Sequence, residues 1–206
     1  YFNFNKQYHN LNTEFILGAE HFKEIQNLFI NQTNIVYMAN AKFDLAALYK
    51  EGIQVRSCVL DVLVMARLIC NDHFEYSLAK CAEREGFKKD NAVEEYIMQE
   101  HMWQWEVIPG KKQRDKRKFF DKVPLDIIVP YGKMDARVTF DLGAKYLQEI
   151  YAIVDSTPLD LPNIKGVFVS ETDLTKVFLE MEKIGVKVDT NYCKDALIIE
   201  KKKIGK

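Results

Sequence analysis

The chain has 206 residues, 48% of them hydrophobic, and a formal net charge of −1. That is enough chain to bury one sizeable core, and the neutral balance excludes a global electrostatic signature of nucleic-acid binding, so any such contact must come from a local patch. No apolar run approaches the ~18 residues of a membrane span, and no membrane partner is expected. Cys58, Cys70, Cys81 and Cys193 are widely separated, without a CxxC. They read as reduced thiols in or near the core of an intracellular protein, neither a disulfide frame nor a zinc site.

In chain order, Tyr1–Asn5 alternates aromatic and polar residues and suits a strand. With no initiator Met before it, the chain reads as cut from something longer. Gln7–Thr13 is a polar loop. Ala19–Ile30 carries Phe22, Ile25, Leu28 and Phe29 at helical spacing. Ile35–Met38 is a short apolar strand, followed by a small-residue turn and a helix that ends near Glu51, with Gly52 as its left-handed cap. Gln54–Leu60 is a further strand and Asp61–Cys70 an apolar helix. Ser77 caps the next helix and Gly86 ends it. Val93–Trp105 has helical period. Lys111–Lys118 then holds six cations against one anion. It reads either as a solvated loop or as a set of phosphate contacts. Asp126–Ile153 is a long helix in which Pro130 marks a start or a kink. Pro158 and Pro162 make Ser156–Gly166 a linker. Ser170 caps a helix over Glu171–Ile184, closed by Gly185, and after an extended Val186–Asp189 a lysine-rich helix begins at Asn191. Strands alternating with helices and then several helices make an α/β core with a helical annex and a mostly helical second piece.

Two segments could carry chemistry. In the first, a buried strand ends in a polar turn and delivers Asp44 at a helix start, with Asn40 one helical turn before it. The plain reading of this segment taken alone is that Asp44 is an acid favoured by the helix dipole and Asn40 a cap. In the second, Tyr131 and Asp135 lie four apart on one helical face that Thr139 and Leu142 continue, which can bring a hydroxyl close to whatever the carboxylate binds. The plain reading of this segment taken alone is an amphipathic helix with a surface Asp and a half-buried Tyr.

Together these segments resemble the DEDD-type 3′→5′ exonuclease domain of family A DNA polymerases, with a phage-like character. Asn40-Ala-Lys-Phe-Asp44 matches that family's second motif, Asn-x-x-x-Asp, and Tyr131-Gly-Lys-Met-Asp135 its third, Tyr-x-x-x-Asp. Between them, Asp61-Val-Leu-Val-Met-Ala-Arg-Leu68 fits an Asp-Thr-x-x-x-Ala-x-Leu element, with Val62 in place of Thr. Tyr76-Ser-Leu-Ala-Lys-Cys-Ala82 fits the segment that follows it. Near the end, Met181-Glu-Lys-Ile-Gly-Val-Lys-Val-Asp189 is similar to the opening of the polymerase domain. Four ordered elements and a matching tail are far more specific than any one of them.

The resemblance implies a ribonuclease H-like α/β fold with a mixed sheet flanked by helices. It implies an exonuclease domain over 1–155, lacking its first strands, a linker over 156–169 and the helical beginning of a polymerase domain over 170–206. It further implies two Mg2+ or Mn2+ ions, Asp135 as a ligand of the first and Asp44 as a support of the second. Tyr131 would orient the attacking water, and Asn40 would help hold the terminal nucleotide. Lys111, Lys112, Arg114, Lys116, Arg117 and Lys118 would contact the incoming strand. Phe43 would pack beneath the site, and Asp61 would be structural. Trp103 and Trp105 read as packing residues that could also stack on bases. The implied partners are a single-stranded 3′ end of DNA and the remainder of a polymerase chain, in the cytoplasm of the cell or of a phage host.

The family's first motif, Asp-x-Glu, has no counterpart among the 206 residues and is expected before Tyr1. Two of four metal carboxylates are therefore missing, and the chain alone is expected to be inactive, since hard dications bind weakly to one or two carboxylates. The alternatives are a related DEDD ribonuclease and a catalytically dead module that binds single strands or a protein.

Overall fold

The computed structural model describes residues 19–88, 91–107, 114–157 and 164–204. The expected strand Tyr1–Asn5, the loop Gln7–Thr13, the cations Lys111 and Lys112 and residues 158–163 of the expected linker lie outside them.

The centre is a parallel pair, β1 (Ile35–Met38) and β2 (Cys58–Asp61), in register from Ile35 opposite Cys58 to Met38 opposite Asp61. Helix α2 (Ala41–Lys50) makes the crossover that parallel pairing requires. Alternation sends the two faces into different cores. Val36, Met38 and Val59 join Ile25 of α1 (Ala19–Ile30), the Ala41, Leu45 and Leu48 face of α2, and Ile53 and Val55. Tyr37 and Leu60 join α3 (Val62–Ile69), α4 (Leu78–Arg84) and the long α6 (Leu125–Ser156). Helices thus cover both faces of a parallel pair, the arrangement of an α/β core.

Several expectations are corrected. Leu28 is exposed on α1, outside its buried stripe. The strand expected over Gln54–Leu60 forms only from Cys58, because the preceding backbone is satisfied by α1 instead. Gln54 exchanges two hydrogen bonds with the Gln26 side-chain amide, at 3.0 and 3.2 Å, and the Arg56 and Ser57 N–H groups donate to the Phe29 carbonyl. The buried Ser57 hydroxyl also lies 2.7 Å from that carbonyl.

The helix expected over Val93–Trp105 is α5 (Ala92–Gln99) alone. His101 turns the chain with φ 53°, and Trp103–Val107 becomes β3, paired antiparallel with β4 (Arg114–Lys118). Residues 114–118 of the basic run are therefore a strand. Aromatic residues alternating with polar ones prefer the pleated surface once a partner strand is at hand, and that partner overrides a helical period. Among the cysteines only Cys81 is buried; Cys58 and Cys193 are exposed, and all four are free thiols.

Helix α6 runs unbroken through Pro130. The ring sits in its second turn, where the lost N–H removes a single ladder bond, to the Asp126 carbonyl. Its buried positions, Asp135, Val138, Thr139, Leu142, Gly143, Tyr146 and Ile150, form one stripe at helical period. Ser170 does not cap a helix, because α7 (Ile164–Ile184) begins six residues earlier. Leu179 of α7 is buried against the α2 core, Ile164 and Phe168 pack on the α6 core, and Lys42 bonds Glu182 at 2.6 Å. Gly185 ends α7 at φ 69°, and the Asp189 carboxylate accepts the N–H groups of Asn191 and Tyr192, starting α8 (Thr190–Ile204). Among the described residues no helix is long and apolar enough to cross a membrane.

Candidate active site

Both strands of the parallel pair end at polar residues, Asn40 just beyond β1 and Asp61 at the end of β2. Carboxyl ends of parallel strands are where open α/β sheets place their sites. Asn40 takes the N-cap position of α2 in left-handed conformation, φ 62° and ψ 58°, a state that Asn tolerates better than most residues. Its side chain makes no cap bond. The Asp61 carboxylate supplies that service across the strands, with Oδ2 accepting Ala41 N–H at 2.7 Å and Oδ1 accepting Asn40 N–H at 3.2 Å. Oδ1 also accepts Leu63 N–H at 2.9 Å and caps α3. Asp61 is thus a structural clamp that holds the turn delivering Asp44.

Asp44 follows in the first turn of α2 and is half-buried. Burial, and then the negative charge of Asp61, push its carboxyl from 3.8 up to about 6. Two acids held near each other, one of them desolvated, favour a cation in the vicinity. Phe43 does not pack beneath the site. The buried face of α2 is Ala41, Leu45 and Leu48, so Phe43 points away from it and is 64% exposed.

Asp135 is 2% exposed and opens the buried stripe of α6; its carbonyl accepts the Thr139 hydroxyl at 2.7 Å. One turn earlier, Tyr131 packs against the small core of Val93, Ile97 and Val123, together with Trp103. The structure therefore brings Asn40, Asp44 and Asp61 to one edge of the sheet, and Tyr131 and Trp103 to one core. Lys116 and Lys118 lie on β4, Lys118 bonded to Glu94 at 3.1 Å, and Arg117 is exposed beside them. Arg114 opens the same strand.

Among the described residues, neither Asp44 nor Asp135 belongs to a set of three His, Cys, Asp or Glu ligand atoms within 4.8 Å of one another. These residues alone do not make a closed site for a hard dication, which needs more oxygen ligands than they supply. The one such set among the described residues is Cys70, Asp72 and His73, in the loop after α3. Only the closeness of Cys70, Asp72 and His73 in sequence could have signalled it, and the Cys70 thiol already donates to Asp72 at 2.7 Å.

No family model matches the chain. No solved structure matches it either. The chain is 25% identical over 168 residues, 81% of its length, to a DNA polymerase I of Chloroflexus aurantiacus. That alignment spans 15% of the relative. The chain, of mixed helix-and-strand architecture, is thus similar in sequence to a region of that DNA polymerase I.

Proposed function

We propose that the chain is the proofreading 3′→5′ exonuclease region of a family A DNA polymerase, with the start of the polymerase domain behind it, acting in the cytoplasm. The observation that carries this is the similarity to a DNA polymerase I over most of the chain, with Asn40–Asp44 and Tyr131–Asp135 in the order and spacing of two exonuclease motifs. The raised, half-buried Asp44 at the carboxyl edge of the parallel pair supports the assignment. Two Mg2+ or Mn2+ ions would activate water and stabilise the leaving 3′ oxygen once further carboxylates are supplied. Within this chain Asp135 and Asp44 would be ligands, Tyr131 would orient the water, and Asn40 would hold the terminal nucleotide. The basic residues around β4 would bind the strand.

The test follows 5′-labelled single-stranded DNA with magnesium. The 206-residue chain should release no nucleotides. A chain extended upstream to include an Asp-x-Glu should release them, and Asp135→Ala or Asp44→Ala in it should abolish release. Robust release by the short chain, or an extended chain indifferent to both substitutions, would sink the proposal. Cleavage confined to RNA ends would replace it with the ribonuclease reading.

A further inference from the structure

We infer that the Trp103/Trp105 face of the β3–β4 hairpin is a stacking platform for single-stranded nucleic acid. Directly opposed residues of an antiparallel pair share a face, and the register sets Trp103 against Lys118 and Trp105 against Lys116. Two indoles and two ammonium groups therefore interleave on one side of the hairpin. The rings meet edge-on with centroids 5.4 Å apart, and Lys116 Nζ lies 3.9 Å from the Trp103 centroid and 5.5 Å from that of Trp105. Trp103 is half-buried against the Val93, Ile97 and Val123 core, which fixes the pair to the scaffold. Trp105 is 55% exposed.

A surface tryptophan pair covered by a lysine can be simple packing, but here Trp105 remains open and both residues opposite the indoles are lysines. Lys118 also bonds Glu94 at 3.1 Å, and Arg117 lies on the opposite face by alternation, with the acids Glu106 and Asp115. Charge complementarity selects a polyanion, and the exposed indole selects one with unstacked flat rings, which is a single strand rather than a duplex. Alternate strand positions are about 6.6 Å apart, on the order of the step between bases in an extended strand. Stacking takes any base, so the platform is indifferent to sequence. Tyr131 packs on the same small core as Trp103, so a strand on this face lies next to the start of the helix that carries Asp135. The platform rests on the exonuclease reading for the kind of strand it receives, a single-stranded 3′ end.

The chain's two tryptophans both lie on this hairpin, so emission excited at the red edge of indole absorption, where the 10 tyrosines do not absorb, reports it alone. Titrating the 206-residue chain with a short oligothymidylate should quench that emission saturably, and less so at high salt. By fluorescence anisotropy of a labelled oligothymidylate, Trp105→Ala should weaken binding about ten-fold, and Trp105→Phe should recover most of the loss. Lys116→Gln should reduce the slope of log affinity against log salt by about 0.7. Oligothymidylate binding without a change in emission, an unchanged Trp105→Ala variant, or no binding at all would overturn the platform. Strand binding that needs Trp105 in an extended chain that cleaves nothing supports the platform and removes the exonuclease reading. Cleavage with a Trp105→Ala variant that binds as well as the parent does the reverse.

Discussion

The ring of Tyr37 fills the space in which a side chain at Gly143 would begin. A Cβ at Gly143 would stand 2.3 Å from Tyr37 Cδ1 and 2.9 Å from Tyr37 Cβ. This contact, with the edge-on Tyr37–Phe140 pair at 5.9 Å, sets how α6 lies on β1 and hence where Asp135, two turns earlier, is presented. The clash involves the root of the tyrosine rather than its tip, so a rotamer change cannot relieve it. Gly143→Ala should cost about 1–3 kcal/mol by overpacking, read as a lower urea midpoint. Combined with Tyr37→Ala it should cost less than the sum of the two single changes.

Asp61 accepts three backbone N–H groups from two segments that are distant in sequence. Asp61→Ala removes a helix cap and leaves the Asn40–Ala41 turn without its acceptor. A loss of about 2–4 kcal/mol is expected, with Asp61→Asn intermediate because one oxygen acceptor survives. Equal stability of the alanine variant in urea unfolding would show that water replaces the carboxylate.

Asn40 is needed by the backbone and, under the proposed function, by the nucleotide, and two variants separate these. Asn40→Gly keeps the left-handed conformation and should preserve stability, whereas Asn40→Ala should lose about 1 kcal/mol. If the side chain holds the terminal nucleotide, both variants in the extended chain should raise KM. A glycine variant with unchanged KM would leave Asn40 a purely conformational residue.

Asp44 gives a pH dependence of definite sign in the metal-free protein. Its folded value, about 6, lies above the ordinary 3.8, so the folded state binds the proton more tightly. Below about pH 4 both states are protonated and there is no penalty. As pH rises toward about 6 the folded state loses this advantage, and above that the cost of the buried charge is complete. Asp44→Asn should therefore stabilise the protein at neutral pH, by about 1–2 kcal/mol once solvent screening of a half-buried group is allowed for. The gain should fade toward pH 4. Urea midpoints of both proteins across this range provide the measurement, and a pH-independent difference would contradict the assignment.

Much of this molecule was legible in the residue order. Local signals suffice wherever local interactions decide. Helix α1 has the predicted bounds, Gly52, Gly86 and Gly185 end their helices at positive φ, and Ser77 caps α4 with its own hydroxyl. The stripe from Asp135 through Thr139 and Leu142 is the predicted face, because a 3.6-residue period needs no partner to be recognised.

Tertiary structure decided what depends on a distant partner. Trp103–Val107 became a strand only because residues 114–118 came back to pair with it, and no window of sequence contains that pairing. Phe43 faced outward because α2 rotates Ala41 and Leu45 onto the sheet. The cap on Asn40's turn came from Asp61, 21 residues away, and the raised Asp44 carboxyl came from burial and that same charge. Sequence alone thus determined those segments whose form local interactions decide. Only folding decided the neighbours, because desolvation, charge proximity and strand pairing belong to pairs of segments rather than to any one of them.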